Sequence, residues 1–221
     1  GNLTCETRLP DFGADAIRSA RGELGIGPGD RLLIAGSVHR GEEGPLVSAF
    51  REARRERPEI KLILAPRHPE QFADFENEPV TAGFFVRRRT SRDPGGPWDV
   101  FILDTIGELA RFYALADVAF IGGSLIPWGG QNLFEPAYYG KPVFFGPHMK
   151  NFGSLAETFI AGGAARTVRT SADLKAMFLS GGTADAAEMG KRARETLVAL
   201  QGATARTIAA MGDFLGSRGE G

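Results

Sequence analysis

The stretch 118–136, VAFIGGSLIPWGGQNLFEP, decides the fold class predicted for this chain. It opens with Val118–Ile121, a continuous apolar run of the kind found in parallel strands that are covered on both faces. Glycine-rich loops and a helix start follow within a few residues, and they bring the amide of Asn132 close to the carboxylate of Glu135. A strand, a flexible loop and a helix start in this order suit a nucleotide better than a core, so the stretch indicates a nucleotide-binding domain.

Apolar runs of the same kind recur along the chain, and segments with helical spacing lie between most of them. The other runs are Arg31 to Ala35, Lys61 to Ala65, Phe84 to Arg87, Val100 to Leu103, Pro142 to Phe145 and Ala165 to Val168. Between the first two, the segment Pro45 to Glu56 has apolar residues at helical spacing, and Pro45 suits the first position of a helix. This alternation predicts an α/β fold with a Rossmann-like, doubly wound parallel sheet.

The composition favours one soluble domain. At 221 residues with 43% hydrophobic residues the chain can bury a core, and 26 basic residues nearly balance 27 acidic ones, so no footprint for nucleic acid is expected. Cys5 is the only cysteine, which excludes an internal disulfide and fits a reducing compartment such as the cytoplasm. No apolar stretch approaches the roughly 20 residues that span a bilayer, and no signal peptide is recognisable.

The two ends of the chain carry separate expectations. Gly1-Asn2-Leu3 lacks an initiator methionine and leads into no structural element, which suggests a fragment of a longer protein. A long helix is predicted from about Ala184 to Phe214. The segment from Thr90 to Trp98 contains Pro94-Gly95-Gly96-Pro97 and is predicted to form a surface loop.

Polar residues follow four of the predicted strands, where open α/β sheets bind their ligands. The loops are Gly36 to Glu43, Pro66 to Glu70, Asp104 to Leu109 and Gly122 to Ser124. Backbone amides at Gly36-Ser37 and Gly122-Gly123-Ser124 are candidates for binding an anion. A P-loop is absent, because Gly140-Lys141 is followed by Pro142, and no Gly-x-Gly-x-x-Gly follows a strand.

Several side chains in these loops have both a functional and a structural interpretation. Arg67 offers a fork of donors to a phosphate, or it forms an ion pair with Glu70 or Asp104. His39 and His68 donate to a phosphate, or they satisfy loop carbonyls. The histidines lie too far apart in sequence to predict a metal site.

The helix starts leave similar alternatives. Glu135 either accepts hydrogen bonds from both hydroxyls of a ribose or complements a helix dipole, and Glu108 has the same two interpretations. Ile106 and Gly107 present backbone groups to a base edge, or Ile106 simply packs.

Taken in order, these motifs resemble the C-terminal half of the 3-deoxy-D-manno-octulosonic acid (Kdo) transferases, the lipid A Kdo transferase family of Gram-negative bacteria. The motifs that carry the resemblance are Ser37-x-His39-x-Gly41-Glu42-Glu43, Pro66-Arg67-His68-Pro69-Glu70, Asp104-Thr105-x-Gly107-Glu108-Leu109, Gly122-Gly123-Ser124, Gly129-Gly130-x-Asn132-x-x-Glu135-Pro136, Gly140-Lys141-Pro142 and Gly146-Pro147-His148-Met149-x-Asn151-Phe152. The similarity covers nearly the whole chain. Individually the motifs are weak, but in this order they are specific.

The resemblance implies a GT-B glycosyltransferase, in which two Rossmann-like domains face a cleft. Residues 1–221 would form the C-terminal domain that binds CMP-Kdo, and the N-terminal domain, absent here, would hold the lipid A precursor, the catalytic base and the membrane-associating surface. The full-length protein would act at the cytoplasmic face of the inner membrane in lipopolysaccharide synthesis, and this chain alone would bind without catalysing. A donor with a single phosphate needs no divalent cation, so neither metal nor cofactor is expected.

The family's roles map onto particular residues of this chain. Arg67 would contact the phosphate or the cytidine, the turn from Asp104 to Glu108 would hold the base through its backbone, and Asn132 and Glu135 would hold the phosphate and the ribose. The full donor-binding set expected from the resemblance is Ser37, His39, Arg67, His68, Ile106, Gly107, Glu108, Gly123, Ser124, Asn132, Glu135 and Lys150. Among these, Ser37, His39 and Lys150 would lie near the sugar.

Two positions depart from the family pattern. Val38 stands where a small hydroxyl residue is usual, and Gln131 stands where histidine is usual before Asn132. Gln131 keeps hydrogen-bonding capacity but cannot become cationic, so donor affinity or donor choice could differ.

Two other functions fit the same sequence. A nucleotide-sugar epimerase shares the GT-B architecture and a ribose-binding glutamate, and it would prefer UDP to CMP. A nucleotide-binding module without a catalytic partner is the third reading. The resemblance favours the transferase.

Overall fold

The sheet that the sequence predicts is present in the computed structural model, which describes residues 9–68, 70, 74–91 and 96–216. The start of the chain, Cys5 and the dipeptide Pro94-Gly95 lie outside the described residues. Within them, seven parallel strands form one sheet in the order β3-β4-β2-β1-β5-β6-β7. The strands are β1 (Arg31–Val38), β2 (Ile60–Pro66), β3 (Val86–Arg88), β4 (Val100–Ile102), β5 (Val118–Ile121), β6 (Val143–Phe145) and β7 (Ala165–Thr167).

Helices connect the strands and cover both faces of the sheet. They are α1 (Ala14–Glu23), α2 (Glu43–Glu56), α3 (Asn77–Thr81), α4 (Leu109–Tyr113), α5 (Phe134–Tyr138), α6 (Gly153–Ala161), α7 (Ser171–Leu179) and α8 (Ala184–Gly216). Six of the seven strands lie within two residues of their predicted bounds, and β1 extends three residues beyond its predicted end at Ala35. Helix α2 begins two residues before Pro45, which is tolerated because N–H groups in a first helical turn have no partner within the helix.

Two cores result from the alternation of side chains along the strands. On one face, Leu32 and Ile34 of β1 belong to a cluster with Phe112, Phe134 and Phe159. On the other face, Leu33 and Ala35 belong to a cluster that includes apolar residues of α2 and α7. Because both faces are covered, β4, β5 and β6 are apolar throughout, as the continuous runs in the sequence indicated, whereas β3 and β7 at the edges of the sheet contain arginine.

The order of the strands places a crevice at the centre of the sheet. Strand β1 pairs with β2 on one side and with β5 on the other. The chain therefore leaves the centre in opposite directions after β1 and after β5. In open α/β sheets this switch point, at the carboxyl ends of the strands, is where ligands bind.

The carboxyl ends of β1 and β5 pack so closely that no side chain fits between them. The N–H of Gly122 donates to the carbonyl of Gly36 at 2.8 Å, and a Cβ added to Gly122 would clash with the backbone of Ser37 and Val38. Glycine is therefore required at position 122 by close backbone approach.

We expect Gly122→Ala to lower the free energy of unfolding by about 1 to 3 kcal/mol, because backbone atoms must move to admit the methyl group. Urea unfolding of the 221-residue chain measures this change. Gly29→Ala is the matched control, since an added Cβ there meets nothing within 4 Å. Equal effects of the two substitutions would show that the close approach at Gly122 has no energetic consequence.

Candidate functional site

A cleft of about 300 Å³ lies at the switch point. Its walls come from the ends of β1, β2 and β4 and from the segment that leads into α5. The lining residues are Gly36, Ser37, Arg67, Gly107, Leu109, Ala110, Tyr113, Gln131, Asn132 and Glu135. Six of the twelve predicted residues are near each other as expected: Ser37, Arg67, Gly107, Asn132 and Glu135 line this cleft, and His39 contacts its wall through Gln131.

The floor of the cleft is formed by an irregular end of β1. Ser37 has φ +54°, the left-handed region, and is the only non-glycine residue among those described with a positive φ. The register between β1 and β2 shifts between Gly36 and Val38. Such a backbone conformation is uncommon outside glycine and clusters at ligand sites. The irregularity turns Ser37 into the cleft.

Val38, the first of the two residues that depart from the family pattern, does not face the cleft. Its side chain is fully buried in the core cluster that contains α2. Gln131, the second departure, does line the cleft. Only Gln131 is therefore in a position to affect a ligand directly.

The buried carboxylate of Glu42 joins the loop after β1 to the loop after β5. Glu42 is 0% exposed and accepts four backbone hydrogen bonds. Oε2 accepts from His39 at 2.9 Å and from Gly123 at 2.6 Å, while Oε1 accepts from Ser124 at 2.9 Å and from Leu125 at 2.8 Å. Burial raises the pKa of Glu42, and the four N–H groups oppose that shift because they stabilise the anion.

The Glu42 carboxylate changes the interpretation of Gly123 and Ser124. Their amides form a site for an anion, as the sequence predicted, but the anion is a side chain of the chain itself. The prediction that these N–H groups are available to a ligand is therefore wrong. Sequence analysis also missed Glu42 as a functional residue, although it stands in the quoted motif after β1.

The side chain of Ser124 also has a structural role. It is buried, its hydroxyl donates to the carbonyl of Ile121 at 2.5 Å, and it accepts from the N–H of Gly146 at 2.7 Å. The hydroxyl thus joins the end of β5 to the end of β6. A buried hydroxyl with both functions used has nothing to offer a ligand.

His39 is held as a neutral imidazole. It is 3% exposed, and its Nε2 lies 3.0 Å from the amide nitrogen of Gln131. With the side-chain nitrogen of Gln131 as the donor, Nε2 of His39 accepts the hydrogen bond and the ring proton is assigned to Nδ1. Burial, with His68 and Arg67 adding smaller repulsions, lowers the pKa of His39 to about 4. At neutral pH His39 therefore offers no positive charge to a ligand.

An aromatic cluster surrounds His39. Its ring centroid lies 4.5 Å from that of Trp128 and 5.1 Å from that of His68. A Cβ on Gly123 would lie 3.1 Å from the His39 ring and 3.3 Å from Trp128, so glycine leaves room for both rings. Trp128 is 55% exposed, and nothing in the sequence singled it out. His68 has its Nδ1 3.7 Å from Glu70.

Arg67 presents a guanidinium that forms no hydrogen bond or ion pair with the described residues. Its backbone N–H donates to Val38 at 2.9 Å, which fixes the loop. The two structural partners considered for it are used elsewhere, because Glu70 faces His68 and Asp104 accepts from Thr90 at 3.1 and 2.5 Å. The arginine is therefore available to an anion in the cleft.

The turn after β4 reaches the cleft through its backbone. Gly107, with φ +86°, lines the cleft, and Ile106 is 79% exposed beside it. The carboxylate of Glu108 instead accepts two hydrogen bonds of 3.1 Å from Arg89 and one from Thr105. Pairing with Arg89 lowers the pKa of Glu108. The side chain of Glu108 thus stabilises the turn rather than facing the cleft.

Asn132 and Glu135 stand at the start of α5. The Oδ1 of Asn132 accepts from the N–H of Phe134 at 2.9 Å. The NH₂ group of Asn132 therefore points away from that N–H. Glu135 is half-buried, burial raises its pKa, and its carboxylate accepts no hydrogen bond from the part of the chain that is described. Tyr113, whose pKa is raised by burial and by Glu135, lines the same cleft. A half-buried carboxylate without donors is suited to ligand hydroxyls.

Lys150 does not reach this cleft. It lies on a second cavity of about 500 Å³, which also involves Trp128 and the ends of β6 and β7. In the described ranges, no three His, Cys, Asp or Glu residues cluster in a way that could hold a metal ion. No helix within these ranges combines the length and apolar character that crossing a bilayer requires.

Comparisons with solved structures place the fold. The chain matches a crystal structure described as the C-terminal CMP-Kdo binding domain of WaaA from Acinetobacter baumannii, with 25% identity, a TM-score of 0.72, and coverage of 83% of this chain and 96% of that one. It also matches Anabaena HepE in complex with UDP-glucose at 16% identity and a TM-score of 0.63, which concerns the fold alone. The fold and the cleft define a C-terminal domain of the GT-B class of glycosyltransferases.

Sequence relatives identify the family within that class. The chain is 38% identical to the 3-deoxy-D-manno-octulosonic acid transferase of Bordetella pertussis over 225 residues, which is 98% of this chain and 51% of that protein. It is 34% identical to the Haemophilus influenzae transferase over 64% of this chain and 34% of that protein. No family model matches. The chain belongs to the Kdo transferase family, as its motifs implied, and it spans about half the length, or less, of these curated relatives.

We expect Glu42→Gln to lower the free energy of unfolding by about 3 kcal/mol, because two of the four buried N–H groups would face an NH₂ donor. Urea unfolding measures the loss. Glu43→Gln makes the same chemical change at a half-buried neighbour whose carboxylate accepts one hydrogen bond, from Gly41, and it should cost less than about 1 kcal/mol. A Glu42→Gln protein as stable as Glu43→Gln would contradict the role given to the carboxylate.

The lowered pKa of His39 predicts a specific loss of stability in acid. Below pH 6.5 the unfolded chain binds a proton at His39 that the folded chain refuses until about pH 4, so stability falls as the pH falls through this window. At pH 5 the expected loss is about 2 kcal/mol. The test compares the free energies of unfolding of the native sequence and of His39→Gln at pH 7 and pH 5. The other titratable groups are the same in both proteins, so the difference in pH dependence is the contribution of His39. Identical pH dependence in the two proteins would show that His39 titrates normally.

Proposed function

We propose that this chain is the donor-binding half of an enzyme that transfers Kdo from CMP-Kdo to a lipid A precursor. The observation that carries the proposal is the presence, in one cleft at the switch point, of Arg67 and the half-buried Glu135, whose charged groups have no hydrogen-bond or ion-pair partner among the described residues. An anion and a set of hydroxyl groups together complete such a cleft. The relatives are Kdo transferases, and the Acinetobacter baumannii domain is a CMP-Kdo binding domain.

The cleft suits the three parts of CMP. Glu135 would accept from the two ribose hydroxyls, whose hydrogen bonds would stabilise a carboxylate that burial disfavours. Arg67, with the amides of Gln131 and Asn132, would hold the phosphate through charge-assisted and neutral hydrogen bonds. The backbone at Gly107 would meet the edge of the base, with the exposed Ile106 beside it.

The contribution of this half to catalysis follows from where charge develops. When an acceptor hydroxyl attacks the anomeric carbon of Kdo, the bond to CMP breaks and negative charge grows on the departing phosphate. Arg67 stabilises that charge, and the cleft holds the donor in position. A single phosphate carries less charge than a diphosphate, so Arg67 and neutral donors suffice without a divalent cation.

The Bordetella pertussis relative is about twice as long as this chain, and the remaining parts of the reaction would belong to the half that this chain does not match. We infer that an N-terminal domain supplies the base that removes the proton of the acceptor hydroxyl, the main contacts to the lipid and the attachment to the cytoplasmic face of the inner membrane. The 221-residue chain would then bind CMP and CMP-Kdo without transferring the sugar.

We expect Arg67→Gln and Glu135→Gln each to weaken CMP binding tenfold to a hundredfold, because each removes a charge-assisted hydrogen bond worth about 1.5 to 3 kcal/mol. Calorimetric titration of the chain measures the affinity. Arg166→Gln and Glu188→Gln, which change exposed residues away from the cleft, are the matched controls and should bind like the native chain.

Competition with UMP, UDP and AMP tests the nature of the donor. Preference for CMP supports the transferase, whereas preference for UDP would favour the epimerase. Unchanged affinity in both cleft variants would remove Arg67 and Glu135 from the site.

A further inference from the structure

The turn 104–108 after β4 borders two cavities. Gly107 lines the nucleotide cleft, whereas Glu108 lines a separate cavity of about 220 Å³. The backbone of residues 104–107 forms no hydrogen bond with other backbone groups of the described chain. Ile106 is 79% exposed, so apolar packing contributes little to holding the turn. The position of the turn therefore depends on its polar side chains.

Two consecutive residues at the end of β3 hold the two ends of this turn. Arg89 donates from Nε and Nη2 to the two carboxylate oxygens of Glu108, each at 3.1 Å. Thr90 donates to the carboxylate of Asp104 from its N–H at 3.1 Å and from its hydroxyl at 2.5 Å. One carboxylate at each end of the turn thus receives two hydrogen bonds from this pair. We call Arg89 and Thr90 the clamp.

The clamp is itself fixed to the sheet. The N–H of Arg89 donates to the carbonyl of Ile102 at 2.9 Å, which continues the pairing of β3 with β4 by one residue. The hydroxyl of Thr105 also donates to Glu108, so the ion pair is joined to the turn from within. A single exposed ion pair contributes little, but two-point pairing within a network has a defined geometry. The clamp therefore restricts where the backbone of the turn can lie.

The position of the turn matters because a base would meet its backbone. The N–H and C=O groups of residues 104–107 that lack backbone partners can bond the edge of a base only when they stand in the right place. A turn that is ordered only when the ligand binds gives up affinity to that ordering. The ribose and the phosphate would instead meet Glu135 on α5 and Arg67 after β2, which lie on other elements.

We propose that Arg89 and Thr90 are positioning residues for the base, and that they set the affinity and the selectivity of the cleft for cytosine without touching the nucleotide. The proposal rests on the proposed function, since it takes the base to lie against the turn. It concerns the base alone, so it separates the clamp from residues that hold the whole nucleotide.

The test compares CMP with ribose 5-phosphate, which has the phosphate and the ribose hydroxyls of CMP but no base. We expect Arg89→Gln and Thr90→Val each to weaken CMP binding about fivefold in calorimetric titration, and the double variant about tenfold. The affinity for ribose 5-phosphate, measured by displacement of CMP, should stay within about twofold of the native value. The preference for CMP over UMP should fall together with CMP affinity.

Arg88→Gln is the matched control. Arg88 precedes Arg89 and forms a two-point ion pair of the same kind with Glu76, at 2.6 and 2.8 Å, but Glu76 is not part of the turn. This variant should bind CMP, UMP and ribose 5-phosphate like the native chain. Urea unfolding of all variants shows whether a loss of affinity is separate from a loss of stability.

Three results would overturn the proposal. They are unchanged CMP affinity in the double variant, an equal loss of affinity for CMP and ribose 5-phosphate, and an unchanged preference for CMP over UMP. An equal loss would mean that the clamp supports the domain as a whole and not the base. Failure of the native chain to bind CMP at all would instead overturn the donor function of the cleft, so the two failures are distinguishable.

Discussion

The geometry of the site depends on one buried carboxylate. Glu42 accepts from four backbone N–H groups that belong to two different loops, one after β1 and one after β5. After β1 the next strands are added on one side of the sheet, and after β5 they are added on the other side. The side chain of Glu42 therefore spans the switch point itself. A buried anion is tolerated only when it is fully hydrogen-bonded, and an incomplete set of donors would be costly. The loops are therefore held together in one arrangement, and Gly122 permits the close approach that this arrangement needs.

An internal anion at this position also decides where an external one can bind. Glycine-rich loops after a parallel strand commonly hold phosphate through their amides. Here the amides of Gly123 and Ser124 are already used, so a ligand phosphate must find its donors on the other side of the cleft. Arg67, Gln131 and Asn132 stand there. His39 supplies no charge because Gln131 and burial hold it neutral, and this leaves Arg67 as the cation that lines the cleft.

The sequence predicts the architecture well because its signals are local and strong. Continuous apolar runs located the strands within three residues, and the loops that follow them contain the residues of the cleft. What the sequence could not supply is the use already made of each polar group. Gly123, Ser124 and Glu108 stand in the expected loops, yet the first two donate to Glu42 and the third pairs with Arg89. Lys150 follows Asn132 in the chain after one more strand, β6, but the loop after β6 places Lys150 on a different cavity. Long-range pairing of this kind depends on tertiary packing, which no spacing rule reports.

Two glutamates of this domain, Glu42 fully buried and Glu135 half-buried, show how a group available to a ligand differs from a structural one. Burial raises the pKa of both Glu42 and Glu135. Glu42 regains the lost solvation from four backbone donors, so nothing remains for a ligand to add. Glu135 gains none from the described residues, and its carboxylate lies open to a cleft rather than to a core. A bound ribose would supply donors where the fold supplies none, and the free energy of solvating that carboxylate would then appear as affinity for the nucleotide. Both carboxylates are at least half removed from solvent, but only Glu42 has donors among the described residues, and this difference in partners is why Glu135 is the one proposed to meet a ligand.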